Sequence, residues 1–330
     1  MAEKNIQSIL TFPLSLANDG LQFFATQTYT PDDVLMSDAK SGNIPEETGG
    51  LIIEDVIKGS TVMKLAKNEP MTKPKKTFSF KAKGAGAYWV SETEVIKTSK
   101  VEWLTASMTA EKLAVIIPFS KEFLRYTAKE FFNEVKPLIA EAFYETFDIA
   151  ALFGTNSPFA THTSGKSIFT GATDAGNLIA LGSGDDLQDE VFDAMALIEA
   201  GGFNPDGATA TNTFKQNMRR AKNVTNGERY YTNLNDLEGM ALTYAKPEAF
   251  DTTKAAALIG DWDYARYGIL QGIEYAVSED AQLSSVVGAD GKPINLFERD
   301  MFALRATMHI GYMNVKPEAF AALTPEIVTP

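Results

Sequence analysis

Residues 77–126 decide the fold, and they read TFSFKAKGAGAYWVSETEVIKTSKVEWLTASMTAEKLAVIIPFSKEFLRY. A short alternating strand begins at Thr77, two glycines follow, and a polar run leads to an apolar strand from Leu113 to Phe119. Alternation and β-branched residues bounded by glycine and proline are typical of strands. The polar run has no turn dipeptide that would close a tight hairpin. A two-stranded excursion of this length is marginally stable alone in water, so we expect it to lie on another surface, most simply on a second copy of the chain.

The composition is that of an acidic globular protein of 330 residues, of which 45% are apolar. This length allows one large domain or two ordinary ones. The net charge is −13 and the isoelectric point is near 4.8. Such a charge argues against a protein that reads nucleic-acid sequence, because those proteins carry a basic face. An acidic shell that merely encloses nucleic acid remains compatible with it.

Few residues could support catalysis or hold a cofactor. The chain has no cysteine, which excludes disulfides, iron–sulfur clusters and thiolate zinc sites, and its only histidines are His162 and His309. We therefore expect neither an enzyme nor a bound cofactor. Glu3 and Pro13 interrupt any signal-peptide pattern, and no run approaches the roughly 18 apolar residues of a membrane span. The sequence predicts a protein made in a cytosol, without a membrane partner.

Two regions read as irregular structure. Residues 1–48 combine scattered apolar residues with a polar stretch, which is typical either of a loose tail or of an arm that becomes ordered only against neighbours. Residues 155–184 are rich in Gly, Ser and Thr and predict a loop with short strands.

A long helix is predicted between these regions. Thr127 and Glu130 fit a capping box, and apolar residues recur at helical spacing from there to Phe153. Gly154 follows as a natural stop, and Pro137 should kink the helix. A helix of this length reaches about 39 Å at 1.5 Å per residue, which indicates an elongated subunit.

The second half of the chain predicts a separate unit and a returning strand. Asp185 or Asp186 can cap an amphipathic helix that ends at a glycine pair, and a second helix is expected at about 212–222. Residues 273–277 predict a strand. From 302 to 312, apolar residues alternate regularly with others, which predicts a half-buried strand in a sheet.

One motif resembles a phosphate-binding loop. Residues 160–167, ATHTSGKS, satisfy its relaxed pattern, with Ala160 in place of the first glycine. Such a loop needs a buried strand before it and a helix after it. Pro158 lies in the preceding stretch, and Ile168 to Gly171 predict an immediate break in any helix. We therefore expect no nucleotide site here.

A lysine cluster without an acid lies before and within the first predicted strand: Lys73, Lys75, Lys76, Lys81 and Lys83. One interpretation is a solvated strand edge that is protected by charge. The other is an electrostatic contact with an acidic patch on a neighbouring subunit.

Taken together, these segments resemble the major capsid proteins of tailed bacteriophages, which have the HK97 fold. The resemblance extends from about Gly49 to Leu323 and rests on the order of the segments rather than on one signature. The matching segments are 49–52 at the start of the ordered core, 87–103 in the extended loop (E-loop), 115–124 in a strand and short helix before the spine helix, 152–155 at the end of the spine helix, 260–278 at the end of the axial domain and 305–320 in the returning strand.

The resemblance implies an α+β fold with an N-terminal arm, an E-loop, a peripheral domain with a long spine helix, and an axial domain. The expected boundaries are 1–48 for the arm, 49–180 for the peripheral domain with its E-loop at about 80–108 and its spine helix at about 127–153, 181–285 for the axial domain, and 286–330 for the return to the peripheral domain.

The resemblance also implies a function: self-assembly into the pentamers and hexamers of an icosahedral shell that encloses phage double-stranded DNA. The DNA would be contacted non-specifically, and the protein would reside in the virion after assembly in the bacterial host cytoplasm. The founding member of the family carries a long N-terminal scaffolding segment that is cleaved off, and the roughly 48 residues that precede the core here are too few for it. We therefore expect a separate scaffolding protein, or none, and a portal as a further partner. The residues expected at subunit interfaces are Trp89, Glu92, Glu94, Lys97, Lys100, Trp103, Lys73, Lys75, Lys76 and Arg305.

One departure from the family concerns covalent chemistry. The founding member joins its subunits through a lysine and an asparagine, and a glutamate promotes this bond. The corresponding position falls near Ala303, an apolar residue, so we expect a shell without covalent cross-links. The sequence leaves two alternative functions open: an encapsulin-type nanocompartment shell and a two-domain cytosolic α/β enzyme.

Overall fold

A computed structural model of the chain describes residues 27–28, 59–83, 102–182, 186–222, 228–287 and 291–325. The α-helices in these ranges are α1 (Thr61–Leu65), α2 (Lys121–Phe153), α3 (Ile168–Ala175), α4 (Leu187–Ala200) and α5 (Asn212–Arg220). The strands are β1 (Gln27–Thr28), β2 (Lys67–Asn68), β3 (Lys75–Lys83), β4 (Glu102–Ser120), β5 (Leu178–Ala180), β6 (Gly207–Ala210), β7 (Asp236–Leu237), β8 (Met240–Tyr244), β9 (Ala257–Gly260), β10 (Ala265–Ser278), β11 (Gln282–Val287), β12 (Pro293–Asn295), β13 (Met301–Asn314) and β14 (Phe320–Thr324).

The first large sheet has the strand order β2-β10-β13-β4-β3 and shares an apolar core with helix α2. Its central strand β13 pairs antiparallel with both β10 and β4. The predicted alternation is confirmed in the middle of β13, where Leu304 and Ala306 are buried and Arg305 is exposed. Ile139 and Phe143 of α2 belong to the same core. Apolar side chains repeat every two residues along the strand and about every 3.6 residues along the helix, so each element has one apolar face. The two apolar faces pack against each other.

Helix α2 begins at Lys121, so the predicted start at Thr127 is wrong, as is the separate short helix before it. Strand β4 ends at Ser120 and passes into the helix with no intervening loop. Tertiary contacts fix this start: the Lys121 N–H donates to the carbonyl of Asp300 at 3.0 Å, and its ammonium lies 3.0 Å from Glu279 Oε2. The predicted end at Phe153 is confirmed, and the helix of 33 residues is about 50 Å long.

The second large sheet has the order β5-β14-β9-β6-β8-β7. Helices α4 and α5 cover one face of it, and they share an apolar cluster with alternate residues of β6, β8, β9 and β14. Both helices occur where the sequence predicts them. Asp186 caps α4, because its Oδ1 accepts from the N–H groups of Gln188 and Asp189 at 2.9 and 3.2 Å. The last strand of the described residues, β14, lies in this sheet, between β5 and β9.

Residues 155–184 contain a helix, α3, that the sequence did not predict. Ser167 caps it by accepting from the N–H of Thr170 at 3.2 Å, and Gly176 ends it with a φ of 77°. Gly171 does not break the helix. A Cβ on it would lie 2.8 Å from the ring of Pro317, so the glycine permits close packing against the segment before β14.

The predicted N-terminal arm and the tip of the predicted E-loop lie outside the described residues, apart from β1. That strand pairs in parallel with β11. No helix in the described ranges has both the length and the apolar character that a membrane span requires.

Candidate subunit interface

A two-stranded ribbon, formed by residues 75–83 of β3 and 102–109 of β4, extends the first sheet. Strand β4 has 19 residues and is roughly 60 Å long. Only its second part pairs with β13, from Ala110 opposite Gly311 to Ser120 opposite Met301. Its first part pairs with β3 alone, from Thr109 to Glu102. Two strands without a third are marginally stable in water, so the ribbon needs other support.

The root of the ribbon is held by a small apolar cluster and one arginine. Met108 is fully buried against Met313 and its neighbours, and the rings of Phe78 and Phe80 stack with centroids 6.1 Å apart. The Arg266 guanidinium carbon lies 5.6 and 5.2 Å from the two ring centroids, which is cation–π geometry. Glu69 accepts from Arg266 Nη1 at 2.6 Å and so fixes the guanidinium in place. These contacts give the ribbon one supported face.

The opposite face leaves Trp103 in water. Its side chain is 66% exposed, and its backbone lies opposite Lys81 at the far end of the described ribbon. Thr77, Ser79 and Thr105 on the same face are also exposed. An exposed tryptophan of this size forgoes roughly 2 kcal/mol of burial, and tryptophan is enriched where one protein binds another. The outer face of the ribbon is therefore a candidate contact surface.

The lysines of the cluster differ in whether they are exposed to solvent or bonded within the subunit. Lys73 and Lys75 are exposed, whereas Lys76 is half-buried. Its ammonium donates to Glu69 Oε2 at 3.1 Å and to the carbonyl of Pro70 at 3.0 Å. Lys76 thus supports its own subunit. Because β3 is an edge strand, the two outward lysines match the interpretation of a charged edge and leave the neighbour contact open.

Arg305 lies on a different surface from the ribbon. It is exposed in the middle of β13, opposite Ile116 of β4 and Ala276 of β10. Ile116 is itself 48% exposed. Along β4, Ile116 and Trp103 are separated by about 40 Å. The predicted interface residues therefore form no single site. Five of them lie outside the described residues: Trp89, Glu92, Glu94, Lys97 and Lys100.

Sequence reasoning missed a buried acid that ties the segment before the ribbon to α2. Asp148 accepts from Ser60 Oγ at 2.5 Å, from the N–H of Thr61 at 2.7 Å and from the N–H of Val62 at 3.4 Å. Its side chain is almost fully buried. The sequence does contain a signal for this buried acid, because Asp148 lies on the same helix face as Tyr144 and Ala151, which are both buried. A search for apolar periodicity alone passes over the acid.

Two carboxyl groups of α2, those of Asp148 and Glu145, have raised pKa values. Burial raises the pKa of Asp148 to about 6, although the hydrogen bonds from Ser60, Thr61 and Val62 act in the opposite direction. Burial also raises the pKa of Glu145 to about 7, and the charges of Glu248 and Asp148 add to the shift. These groups therefore titrate close to neutral pH.

The loop that resembles a phosphate-binding motif is filled by its own contacts. A helix does follow it, contrary to the prediction, but the preceding element is a 3-10 turn rather than a strand. Lys166 Nζ lies 2.7 Å from Asp174, and Gly165 packs against the Phe159 carbonyl so closely that no side chain would fit. His162 Nε2 lies 2.8 Å from Glu111. No group of metal-binding residues occurs in the described part of the chain.

Comparisons with known proteins identify the family of the chain. The model of the phage capsid family matches residues 42–324. The major capsid protein of Staphylococcus phage 80alpha is 40% identical over 312 residues, which cover 92% of this chain and 93% of that protein. The probable major capsid protein gp17 of Mycobacterium phage L5 is 22% identical, over 80% of this chain and 84% of the gp17 chain.

Solved structures give the same result. A structure from Microbacterium phage Oxtober96 superposes with a TM-score of 0.71 at 25% identity, over 94% of this chain and 98% of that one. The capsid of an empty GTA particle superposes with a TM-score of 0.61 at 15% identity, over 89% of this chain and 95% of the capsid chain. A likeness at this identity shows the fold alone. The predicted α+β capsid fold is confirmed. The chain belongs to the phage capsid family.

Proposed function

We propose that copies of this chain assemble as pentamers and hexamers into an icosahedral shell around phage double-stranded DNA. As a member of the phage capsid family, the chain is a major capsid protein that forms a virion shell, and it is not an enzyme. The matches favour this function over the encapsulin-type shell and the two-domain enzyme. The observation that carries the proposed assembly is the ribbon, which has one face anchored and one face, with Trp103, left in water.

The contacts between copies would be heterologous, since the ribbon of one subunit meets a different surface of the next. Heterologous contacts that close by rotation generate rings. A ribbon that reaches away from the body spreads weak contacts over a neighbour, and many such contacts add up to a strong shell. Trp103 would supply the large, rigid anchor typical of interface hot spots.

We propose contacts between copies on two surfaces, the ribbon and the exposed face of the first sheet around Arg305. We place Trp103, Lys73 and Lys75 in contacts made by the ribbon, and Arg305 in a separate contact on the outer face of the first sheet. Lys76 would act indirectly, by holding the base of the ribbon. Further contacts are proposed on the E-loop: Trp89, Glu92, Glu94, Lys97 and Lys100.

The domain organisation is proposed in the terms of the family. The arm covers 1–48, the peripheral domain 49–180, and the axial domain 181–285, with a return to the peripheral domain over 286–330. The two large sheets support a division into two units, because β3, β4 and β13 lie in the first sheet and β6, β8 and β9 in the second. Strand β10 also lies in the first sheet, and β5 and β14 lie in the second, so the sheets cross the proposed boundaries at 180 and 285.

The proposed partners other than a second copy are a separate scaffolding protein, a portal and the packaged DNA. The net charge of −13 supports enclosure of DNA without tight binding, because affinity for the phosphate backbone comes from cations. Assembly in the host cytoplasm and a shell without covalent cross-links are part of the same proposal.

The proposal is tested by electron microscopy and light scattering of the purified full chain, alone and co-expressed with candidate scaffolding proteins. Closed particles or rings of five and six subunits are expected. Trp103→Ala should abolish or strongly reduce particles while the stability of the free subunit changes by less than about 0.5 kcal/mol. Thr105→Ala, on the same exposed face, is the matched control and should assemble normally. A wild-type chain that stays monomeric under every condition would overturn the proposal.

A further inference from the structure

The charges of the second unit are segregated along the sequence. No lysine or arginine occurs between Lys166 and Lys215, while acids are frequent there. The reverse holds from Gly207 to Gly227, where no acid occurs. Helix α4 lies in the acidic stretch and α5 in the basic one. An acidic chain thus keeps one strongly basic helix.

Helix α4 presents an acidic face around an exposed phenylalanine. Asp189, Phe192, Asp193 and Glu199 are all exposed and lie within about a third of the helix circumference, opposite the buried face that begins at Val191. Phe192 is 45% exposed in the middle of these carboxylates. An apolar side chain rimmed by charge is the usual arrangement at the centre of a binding surface.

Helix α5 presents the complementary face. Its inner side chains Phe214 and Met218 are fully buried, whereas Arg219, Arg220 and Lys222 are exposed at its end. Arginine can form bidentate bonds with a carboxylate and can also stack on an aromatic ring. The basic face of α5 therefore matches both parts of the α4 face, the carboxylates and the phenylalanine.

Helix dipoles explain only part of this pattern. A dipole favours Asp189 in the first turn of α4 and Arg219 and Arg220 in the last turn of α5. It does not favour Glu199, which lies in the last turn of α4, and it gives no reason for Phe192 to remain in water. The acidic face thus extends beyond what the stability of its own helix requires.

The two faces do not neutralise each other within the subunit. Both helices pack on the same face of the second sheet. Yet in the part of the chain that the structure describes, none of the six charged side chains of the two faces forms a salt bridge. Among the described residues, the acidic face of α4 and the basic face of α5 are therefore both without an ion pair.

We propose that the acidic face of α4 docks on the basic face of α5 in a second copy of this chain. The contact is heterologous, so each copy offers one face to one neighbour and the other face to the next, as ring closure requires. Asp193 and Glu199 meet Arg219 and Arg220, and Phe192 lies under a guanidinium. This inference rests on the proposed assembly into rings and shells, and it names the pair of surfaces that carries part of it.

Charge reversal tests the pairing in the full chain. Arg219→Glu/Arg220→Glu and Asp193→Lys/Glu199→Lys each place like charges opposite each other, and each should lower the yield of particles roughly tenfold or more. The variant with all four substitutions restores opposite charges and should recover wild-type yield to within about twofold. Lys64→Glu/Lys67→Glu changes the net charge as much as the arginine pair does, at exposed lysines elsewhere, and should assemble normally. Thermal unfolding and circular dichroism verify that each variant is folded.

The outcomes separate this inference from the proposed function. If the wild-type chain forms no particles, both fail. If it assembles but the two reversals leave the yield unchanged, or the fourfold variant shows no recovery, the docking of α4 on α5 is overturned and shell assembly stands. If the arginine reversal leaves shells intact but lowers the nucleic acid that they retain, the basic face contacts DNA, which also overturns the copy-to-copy contact.

Discussion

The two halves of strand β4 share one backbone but differ in what supports them. Residues 110–120 join β13 and β10 in a sheet covered by α2, and Phe119 packs against Phe302 with ring centroids 5.5 Å apart. Residues 102–109 pair with β3 alone and end at an exposed Trp103. The free energy of folding is concentrated in residues 110–120, whereas residues 102–109 leave a surface free to contact another molecule. Stability and assembly should therefore respond to different substitutions on the same strand.

The largest effect is expected at Phe302 of β13, which packs against the supported half of β4. Phe302→Ala removes a fully buried ring from the core and should lower the free energy of unfolding by about 3–5 kcal/mol. Chemical denaturation of the unassembled subunit measures it. Phe297→Ala is the matched control, because that ring is exposed, and it should cost less than about 0.5 kcal/mol. Equal losses in the two variants would show that β13 does not organise the core.

The anchor at Asp148 should have the next largest effect. Asp148→Ala leaves the donors of Ser60, Thr61 and Val62 without a partner in a buried position and should destabilise the subunit by about 2–3 kcal/mol. Removal of the exposed acid in Asp174→Ala, which breaks only the contact with Lys166, should cost under about 1 kcal/mol. A small loss in Asp148→Ala would mean that the segment before β3 holds to α2 by apolar contacts alone.

A third substitution acts at the root of the ribbon. Arg266→Met removes the guanidinium from Phe78 and Phe80 and should cost about 1 kcal/mol. Hydrogen exchange locates the effect: amides of residues 75–80 should lose protection, whereas those of 110–120 keep it. Loss of protection in both halves would contradict the view that the halves are supported independently.

The smallest effect concerns pH. Because the pKa of Glu145 rises from an ordinary value of 4.5 to about 7 in the folded subunit, the folded state binds a proton that the unfolded chain releases. Stability should therefore increase as the pH falls from 8 to 5. At pH 8, Glu145→Gln should be more stable than the wild type by about 1 kcal/mol, since the side chain is partly solvated. The difference should shrink as the pH falls through 7 and vanish below about pH 4.5, where the carboxyl group is protonated in the folded and the unfolded state. A Gln variant with an unchanged pH profile would contradict this assignment.

The elements with strong local patterns could be predicted from the sequence. The alternation from 302 to 312 predicted β13, and the aspartate before an amphipathic run predicted α4. The glycine after Phe153 predicted the end of α2. The resemblance in segment order gave the capsid fold. These patterns are local, so no knowledge of distant contacts was needed.

The sequence predictions failed where contacts with residues remote in sequence determine the secondary structure. The start of α2 is set by Asp300 and Glu279, which are remote in sequence from Lys121. Helix α3 was missed because Gly171 reads as a breaker until its contact with Pro317 is known. The candidate surfaces were harder still, because exposure of Trp103 or of the α4 face is a property of the folded chain and leaves no mark in the local pattern.

The direct passage from β4 into α2 has a mechanical consequence. Residues 102–153 form one uninterrupted strand and helix, and no loop lies at Ser120 whose dihedral angles could absorb a rotation. We therefore expect the ribbon and the helix to move together, about the contacts of Lys121 with Asp300 and Glu279. A neighbour that pulls on the ribbon also tilts the helix and the core beneath it. In the proposed shell, a difference in curvature between rings of five and six copies would then be taken up by loops elsewhere in the chain.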